Sequence, residues 1–398
     1  IDLGSSPPSN AYLTKPALRK PEKWLPLKVL VCESCWLVQA ETYSWATELF
    51  NDEYAYFSSF STHWLEHSRR YVQEMIQRFG LNKNSHILEI ASNDGYLLQY
   101  FTESNIPCLG IEPTASTASA ARQKGVDTIE EFFGLELARN LANQQKQADL
   151  MVANNVLAHV PDINDFVSGF AALMKPRGVA TFEFPHLMKL IDNKQFDTIY
   201  HEHFSYLSFT AVDNIFKANG LSVFDVQELT THGGSLRVFA QRRDTGEKML
   251  SPAVTELLER EARAGMRTPG YYQGFQEQAN KVKNDFLSFL LQAWYQGNKI
   301  AAYGAAAKGN TLLNFAGVRP DLLPYVVDKN PAKQGKFMPG SRIPIVREGA
   351  IRKHKPHYIV ILPWNIKKEI INQLSYVQEW GGNFVTAVPE LRINGHEQ

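Results

Sequence analysis

Cysteine is nearly absent, with only Cys32, Cys35 and Cys108 in 398 residues. Three thiols cannot build a disulfide framework, and they fit a reducing compartment. Excess charge is absent as well, because 41 Lys and Arg balance 41 Asp and Glu. No basic block remains to make an electrostatic footprint for nucleic acid. No stretch reaches the roughly 18 to 20 apolar residues that a membrane span requires. The opening segment, IDLGSSPPSNAYL, lacks the basic and apolar regions of a signal peptide. These absences predict a cytoplasmic protein with a small-molecule partner, no nucleic acid and no membrane. The chain begins at Ile1 without an initiator Met, so a longer natural protein is expected.

What is present is ordinary globular composition, 44% hydrophobic and 21% charged, in a chain long enough for two or three cores. Residues 1–58 are loop-rich, with one strand candidate, LKVLVCES, running into Cys32 and Cys35. A helix-spaced segment, HWLEHSRRYVQEMIQRF, then feeds the apolar strand HILEIA. Strand and helix signals alternate from there: CLGIE, ADLMVANN and GVATFEFP with helices between, then LSVFDVQEL and GSLRVFAQRR as a terminal hairpin. Such alternation predicts a mostly parallel sheet covered on both faces. Residues 246–398 follow, with two helical patterns broken at TPGYYQG and a second series, KIAAYGAAAKGNTLLNF, LLPYVVDKN, HYIVILPW and NFVTAVPE. The expected architecture is α/β, with a doubly wound domain over 59–245, a second Rossmann-like domain at the C-terminus and a small module at the N-terminus.

In an open parallel sheet the ligand sits beyond the carboxyl ends of the strands. HILEIASNDGYLL carries Glu89 near its strand end and Ser92, Asn93, Asp94 and Gly95 in the turn. Roughly twenty residues on, Glu112 ends CLGIE, where a carboxylate can accept from ribose hydroxyls. The turn has one glycine instead of the three of G-x-G-x-x-G. A dinucleotide requires close backbone approach to its pyrophosphate, whereas S-adenosylmethionine carries no phosphate and presents an amino acid and a sulfonium. With Asn154 and Asn155 at the end of ADLMVANN, these residues resemble the first, second and fourth strand motifs of class I methyltransferases. The bland alternative is that Asp94 caps a helix and Glu112 is a solvated strand end.

After the fifth strand, IYHEHFSYLS places Tyr200, His201, Glu202, His203, Ser205 and Tyr206 in one short run. If extended, it presents Tyr200 and Glu202 on one face and His201 and His203 on the other; in a turn, all can converge. Proton-transfer chemistry, a buried polar network and a metal site all remain open for this run.

The combination of YHEHFSYLS with ILEIASNDG, NNVLAHVPD, HGGSLRVF and YGAAAKGN resembles the sugar C-methyltransferase family, over essentially the whole chain. The resemblance implies transfer of a methyl group from S-adenosylmethionine to carbon 3 of a nucleotide-diphosphate-linked 4-keto-deoxysugar, with a thymidine diphosphate carrier favoured. It implies three parts: an N-terminal zinc-binding module, a central class I methyltransferase domain and a C-terminal Rossmann-like domain that helps hold the nucleotide-sugar. His203 maps to the catalytic base, and Glu202, Tyr200, His159 and Tyr54 map to neighbours of the substrate, with Tyr56 as the fallback for Tyr54. The chemistry agrees. A ketone acidifies the adjacent C–H, a histidine can remove that proton near neutral pH, and hydrogen bonds can stabilise the resulting enolate, which then attacks the sulfonium methyl.

Cys32 and Cys35 form one C-x-x-C, half of a tetrahedral zinc site. The family carries a second pair upstream, so a structural zinc is expected with two ligands lost here; two ordinary thiols are the alternative. In YGAAAKGN, Gly304 and Gly309 permit close backbone approach and Lys308 can pair with a phosphate of the substrate, with Asp328 ending the next strand. A purely structural lobe is the alternative there. Gly233 and Gly234 fit a tight turn, and Arg237 reads as an anion contact or a surface charge. A monomer is expected. The competing functions are an O- or N-methyltransferase on another small molecule and a non-catalytic nucleotide-sugar-binding protein.

Overall fold

The computed structural model describes residues 1–43 and 57–394. Three strands open the chain, β1 (Asp2–Ser6), β2 (Leu25–Val31) and β3 (Val38–Ala40). They pair antiparallel with one another. β1 and β3 are absent from the sequence reading, and β2 ends at Val31, so that Cys32 and Cys35 lie in a tight turn where Trp36 N–H bonds Cys32 O at 2.8 Å.

The central sheet contains β4 (Ile87–Ile90), β5 (Cys108–Ile111), β6 (Thr128–Ile129), β7 (Ala148–Asn154) and β8 (Met174–Pro185). A two-residue strand, β9 (Ser205–Tyr206), leaves this domain and pairs with β3, completing the N-terminal sheet. The hairpin β10 (Leu221–Leu229) and β11 (Ser235–Arg242) finishes the central sheet in the order β10-β11-β8-β7-β4-β5-β6. Counted from β4, that is 6-7-5-4-1-2-3. All neighbours are parallel except β11, which runs antiparallel to both of its partners. One reversed strand inside a parallel sheet, in this order, is the class I methyltransferase topology.

Both faces of the sheet are covered, as the alternation in β7 demonstrates. Leu150 and Val152 join the core with Tyr71, Met75 and Phe101, while Met151 and Ala153 join Phe166, Phe170 and Phe216 on the opposite side. The helix Thr62–Phe79 supplies part of the first face. Its start is capped by Ser61, whose Oγ accepts from Trp64 N–H, and its end by Gly80 at φ 63°, a left-handed stop that suits glycine.

The stretch read as a helical connector divides. Val254 and Leu257 of the helix Pro252–Arg263 pack into the methyltransferase core. Val282, Phe286 and Leu290 of the helix Phe275–Tyr295 pack into the C-terminal lobe. That lobe holds β12 (Ile300–Tyr303), β13 (Val326–Val327), β14 (Ile345–Val346), β15 (Tyr358–Ile361), β16 (Asn383–Thr386) and β17 (Arg392–Asn394). Their order is β14-β13-β12-β15-β16-β17, parallel apart from β17, which is a Rossmann-like arrangement. Leu3, Leu27 and Val29 share one core with Ile300, Ala302 and Val326, so the N-terminal module is built onto this lobe. Among the described residues, no helix is long and apolar enough to cross a membrane.

Candidate active site

A cavity of about 560 Å³ opens at the carboxyl ends of β4, β5 and β7, where the methyltransferase sheet meets the C-terminal lobe. It is lined on one side by Ala91, Asn93, Glu112 and Asn154, and on the other by His159, Tyr200 and His203. The C-terminal lobe adds Lys308, Lys333 and Asn365, and the N-terminal segment adds Asn10.

At the sheet side, Glu112 accepts from Asn93 N–H at 2.9 Å and from Thr114 N–H at 3.0 Å, one bond to each carboxylate oxygen. Burial pushes its pKa up, and those two N–H groups work against the shift. Each oxygen keeps a lone pair for a ribose hydroxyl. Among the described residues, Asn154 Oδ1 and Asn155 Oδ1 have no hydrogen-bond partner although both atoms are buried. Orphaned buried acceptors in a cavity wall suit a ligand with donors, and the ammonium and ribose of S-adenosylmethionine provide them. The residues present fit that cofactor.

Four residues of the expected cofactor set stand behind the wall instead of lining the cavity. Ser92 is completely buried beneath Gly110, where an added Cβ would collide with it. Asp94 forms a clamp with Lys124 Nζ (3.1 Å) and Ser59 N–H (3.4 Å), tying the residues before the helix Thr62–Phe79 to the turn. Gly95, at φ 73°, lies where a Cβ would come within 3.2 Å of Val126 Cγ2, so it serves the turn and helix packing. Glu89 is fully buried within β4, and desolvation holds its carboxyl well above the usual range.

The run after β8 takes the turn of the two expected shapes, but its side chains do not all converge. His203 N–H bonds Tyr200 O at 2.9 Å, closing a turn in which residues i and i+3 share a face. Tyr200 and His203 therefore meet over the cavity, with ring centroids 4.0 Å apart and planes tilted by 33°, and His159 meets His203 edge-on at 4.6 Å. The two residues between them point away. His201 Nε2 bonds Pro26 O at 3.1 Å, and Glu202 Oε1 accepts from Asn10 N–H at 3.1 Å and from Asn10 Nδ2 at 3.2 Å. Glu202, expected beside the substrate, thus holds the N-terminal segment and does not line the cavity. The diverging imidazoles also exclude an H-E-H metal pair.

His203 Nδ1–H donates to Thr198 O at 2.9 Å, and His159 Nδ1–H donates to Glu202 O at 2.7 Å. A carbonyl only accepts, so each neutral ring carries its proton on Nδ1 and a lone pair on Nε2. Burial, helped by His159, holds the His203 pKa well below its ordinary value, and burial lowers His159 to about 4.

In the C-terminal lobe, Lys308 Nζ donates to Asn365 Oδ1 at 2.8 Å and lies 4.5 Å from the Trp364 ring centroid. Burial depresses its pKa, opposed by the nearby carboxylate of Asp197. Gly309 does not line the cavity: a Cβ there would lie 2.8 Å from Leu362 Cδ1, so the glycine serves close packing of helix on strand. Asp328 accepts from Ala305 N–H and Asn330 N–H, which braces the turn after β12. Arg237 is neither an anion contact nor a surface charge. It is buried, bonding Glu183 at 3.0 Å and Glu74 at 3.4 Å, with His67 also on Glu183 at 2.9 Å. Tyr54 and Tyr56 lie outside the described residues. His232 and Trp64 line the cavity without having been singled out in the sequence; the His beside two glycines in HGGSLRVF was the available signal.

At the N-terminal module the Cys35 and Ser34 backbone N–H groups hold the Cys32 thiol below its ordinary pKa. Cys108, in β5, lies against Thr102 Oγ1 at 3.4 Å. Among the described residues, no group of three or more His, Cys, Asp or Glu converges on a metal position. Two thiols do not by themselves fit a four-ligand zinc site.

The topology and this cavity define an S-adenosylmethionine-dependent methyltransferase. Comparison with known proteins agrees. Residues 64–226 match the family described as "Methyltransferase domain", residues 230–389 match "C-methyltransferase C-terminal domain", and residues 1–50 match "Putative zinc binding domain". C-methyltransferase NovU of Streptomyces niveus is 33% identical over 99% of this chain and 93% of its own length. A ubiquinone biosynthesis O-methyltransferase of Rhodopseudomonas palustris is 28% identical over 23% of this chain and 37% of its own. Among solved structures, magnesium protoporphyrin IX methyltransferase from Synechocystis with bound SAH superposes with a TM-score of 0.35 at 15% identity, covering 45% of this chain and 83% of that one. An S-adenosylmethionine-dependent methyltransferase from Clostridium acetobutylicum gives 0.36 at 11%, covering 45% and 92%. The chain belongs to the sugar C-methyltransferase family and is an S-adenosylmethionine-dependent C-methyltransferase.

Proposed function

We propose that the protein methylates a carbon next to the ketone of a nucleotide-diphosphate-linked 4-keto-deoxysugar, with His203 as the base. The observation that carries this reading is that His203, its Nδ1–H tied to Thr198 O, lines the same cavity as Asn93 and Glu112. The depressed pKa keeps the ring unprotonated at neutral pH, and Nε2 takes the proton from the carbon beside the carbonyl. The electron pair of that C–H bond forms the carbon–carbon π bond of the enolate as the carbonyl π pair moves onto the ketone oxygen, and the enolate's charge then favours the imidazolium it faces. Glu112, Asn93 and Asn154 would hold S-adenosylmethionine, whose sulfonium would give its methyl group to the enolate carbon as the S–CH3 bond breaks and the neutral thioether leaves.

Tyr200 orients His203 by packing against it, and the His159 ring lines the cavity beside them, where it suits the sugar. Lys308, with Lys333 and Asn365 at the same end, suits the diphosphate of the carrier, for which thymidine is favoured. A cytoplasmic monomer belongs to the same reading, in keeping with three free thiols. Zinc at Cys32 and Cys35 belongs to it only if two further ligands are supplied. The test is hydrogen exchange: incubated in deuterium oxide with a 4-ketosugar nucleotide, the protein should exchange the proton beside the ketone, and His203→Ala should not. Exchange that persists unchanged in the variant refutes the base assignment.

A further inference from the structure

His159 and His203 both spend their Nδ1–H on backbone carbonyls. Base chemistry at a ketone also needs a donor, because negative charge grows on the carbonyl oxygen as the proton leaves. Neither of these rings, while neutral, can provide one. A third imidazole lines the same cavity in the same tautomer, but the protein engages its Nε2 instead of its Nδ1. His232 Nε2 faces Asn155 Nδ2 at 3.2 Å. An amide nitrogen only donates, so Nε2 accepts and the proton sits on Nδ1.

The turn that holds His232 is built around it. His232 adopts φ 53°, ψ 19° inside the β10–β11 turn, a left-handed conformation uncommon for a side-chain-bearing residue. Gly233, at φ 89°, leaves room for Trp364, whose Cη2 an added Cβ would meet at 2.6 Å. Trp364 Nε1 in turn donates to Asp197 Oδ2 at 2.7 Å, next to the Thr198 whose carbonyl sets the tautomer of His203. On its other side the His232 ring meets Trp64 edge-on at 5.3 Å, and Asn155 is held by its own N–H to Glu183 O at 2.7 Å. Both members of the pair are thus held by their surroundings, as a preorganised donor requires.

We infer that His232, oriented by Asn155, is the hydrogen-bond donor to the substrate's ketone oxygen and stabilises the enolate as it forms. This rests on the enolate reading above. His203 removes the proton, the C–H pair becomes the enolate π bond, and His232 Nδ1–H bonds the oxygen that receives the charge without giving up its proton. A neutral imidazole suits this role, because its N–H is close in acidity to an enol and is not titrated away near neutral pH.

The test measures three quantities on the full chain with a thymidine-diphosphate-linked 4-keto-deoxyhexose. These are solvent deuterium exchange beside the ketone without S-adenosylmethionine, kcat with it, and calorimetric binding of S-adenosylmethionine. His232→Ala should lower exchange and kcat together by about 10²- to 10³-fold, the size expected for one oxyanion donor, with S-adenosylmethionine affinity unchanged. His232→Asn, which tolerates the left-handed backbone and keeps an N–H donor, should recover at least about tenfold of that loss. A folded His232→Ala protein that exchanges at the wild-type rate, while His203→Ala does not, overturns the donor and leaves the base reading standing. If the alanine variant does not fold, ¹⁵N shifts of the wild-type ring decide: a proton on Nδ1 supports the inference and one on Nε2 overturns it. A wild-type enzyme that methylates without any exchange overturns both readings together.

Discussion

Replacing Gly309 with alanine tests whether the small residue of the YGAAAKGN turn serves a ligand or the fold. At an unconstrained helical position this change stabilises by roughly 1 kcal/mol. Here the new Cβ would stand 2.8 Å from Leu362 Cδ1, 2.9 Å from Leu362 Cβ and 3.2 Å from Leu362 Cγ. The Cβ is anchored to the backbone after β15, so the strain cannot be relieved by rotating a methyl group, and helix and strand must separate. Overpacking of this kind costs about 1 to 3 kcal/mol, leaving a net loss of about 0 to 2 kcal/mol after the helical gain. Urea unfolding followed by near-ultraviolet circular dichroism reads the change as a lower midpoint at constant slope. Lys308 is the preceding residue, so a small displacement there should also raise KM for the nucleotide-sugar while S-adenosylmethionine binding stays as it was. A variant more stable than wild type by the full helical gain of roughly 1 kcal/mol would refute the packing argument.

Other outcomes follow from the same geometry. His159 is held neutral down to about pH 4 in the folded protein, whereas the unfolded chain protonates near 6.5. Its folded pKa is depressed, so stability present above pH 6.5 is lost as pH falls from there towards 4. Between pH 7 and 5 the loss is about 1 to 2 kcal/mol, with allowance for water in the cavity. His159→Gln should therefore weaken less than wild type over that interval in urea melts, and parallel curves would count against it. Arg237→Met removes the cation from a buried cluster with Glu183 and should cost about 3 to 5 kcal/mol; a loss below about 1 kcal/mol, as for a surface charge, would contradict the burial argument. Glu112→Ala should weaken S-adenosylmethionine binding by about 10- to 100-fold, from the loss of bonds worth about 1.5 to 3 kcal/mol to a charged group. Asp94→Asn should leave that binding within about threefold, because its carboxylate holds Lys124 and Ser59 behind the cavity wall; calorimetry distinguishes the two.

The methyltransferase half of the fold was legible because its signals are local. Alternating strands and helices, each with its own period, imply a parallel sheet wherever the connections are long enough to cross over. Sites at strand ends inherit that legibility, and Asn93, Glu112 and Asn154 do share one cavity with His159, Tyr200 and His203. Side-chain direction inside a turn is not local in the same way. Ser92, Asp94 and Gly95 sit within three residues of Asn93 yet face the interior, since the turn rotates successive side chains by amounts that its backbone alone decides. Short strands were missed for a related reason: β9 has two residues and pairs with β3 across the N-terminal module, so no window of sequence contains the partner that makes it a strand. His232 escaped notice because two glycines beside it read as a turn, and a turn is where a preorganised side chain is least visible from composition.

The run Tyr200 to Tyr206 explains why the three parts of the chain form one site. A single reverse turn divides its residues between two duties, with Tyr200 and His203 over the cavity and His201 and Glu202 gripping Pro26 and Asn10 of the N-terminal module. Two residues later the chain enters β9 and joins that module's sheet. The backbone carbonyl of Glu202 meanwhile sets the tautomer of His159. Movement of the N-terminal module would therefore displace the turn that aims both imidazoles, and Asn10, which lines the cavity itself, would move with it. Because Leu3, Leu27 and Val29 are packed into the C-terminal lobe, the module cannot shift without opening that core. The imidazoles are thus positioned from one side by the methyltransferase sheet and from the other by the N-terminal module and C-terminal lobe.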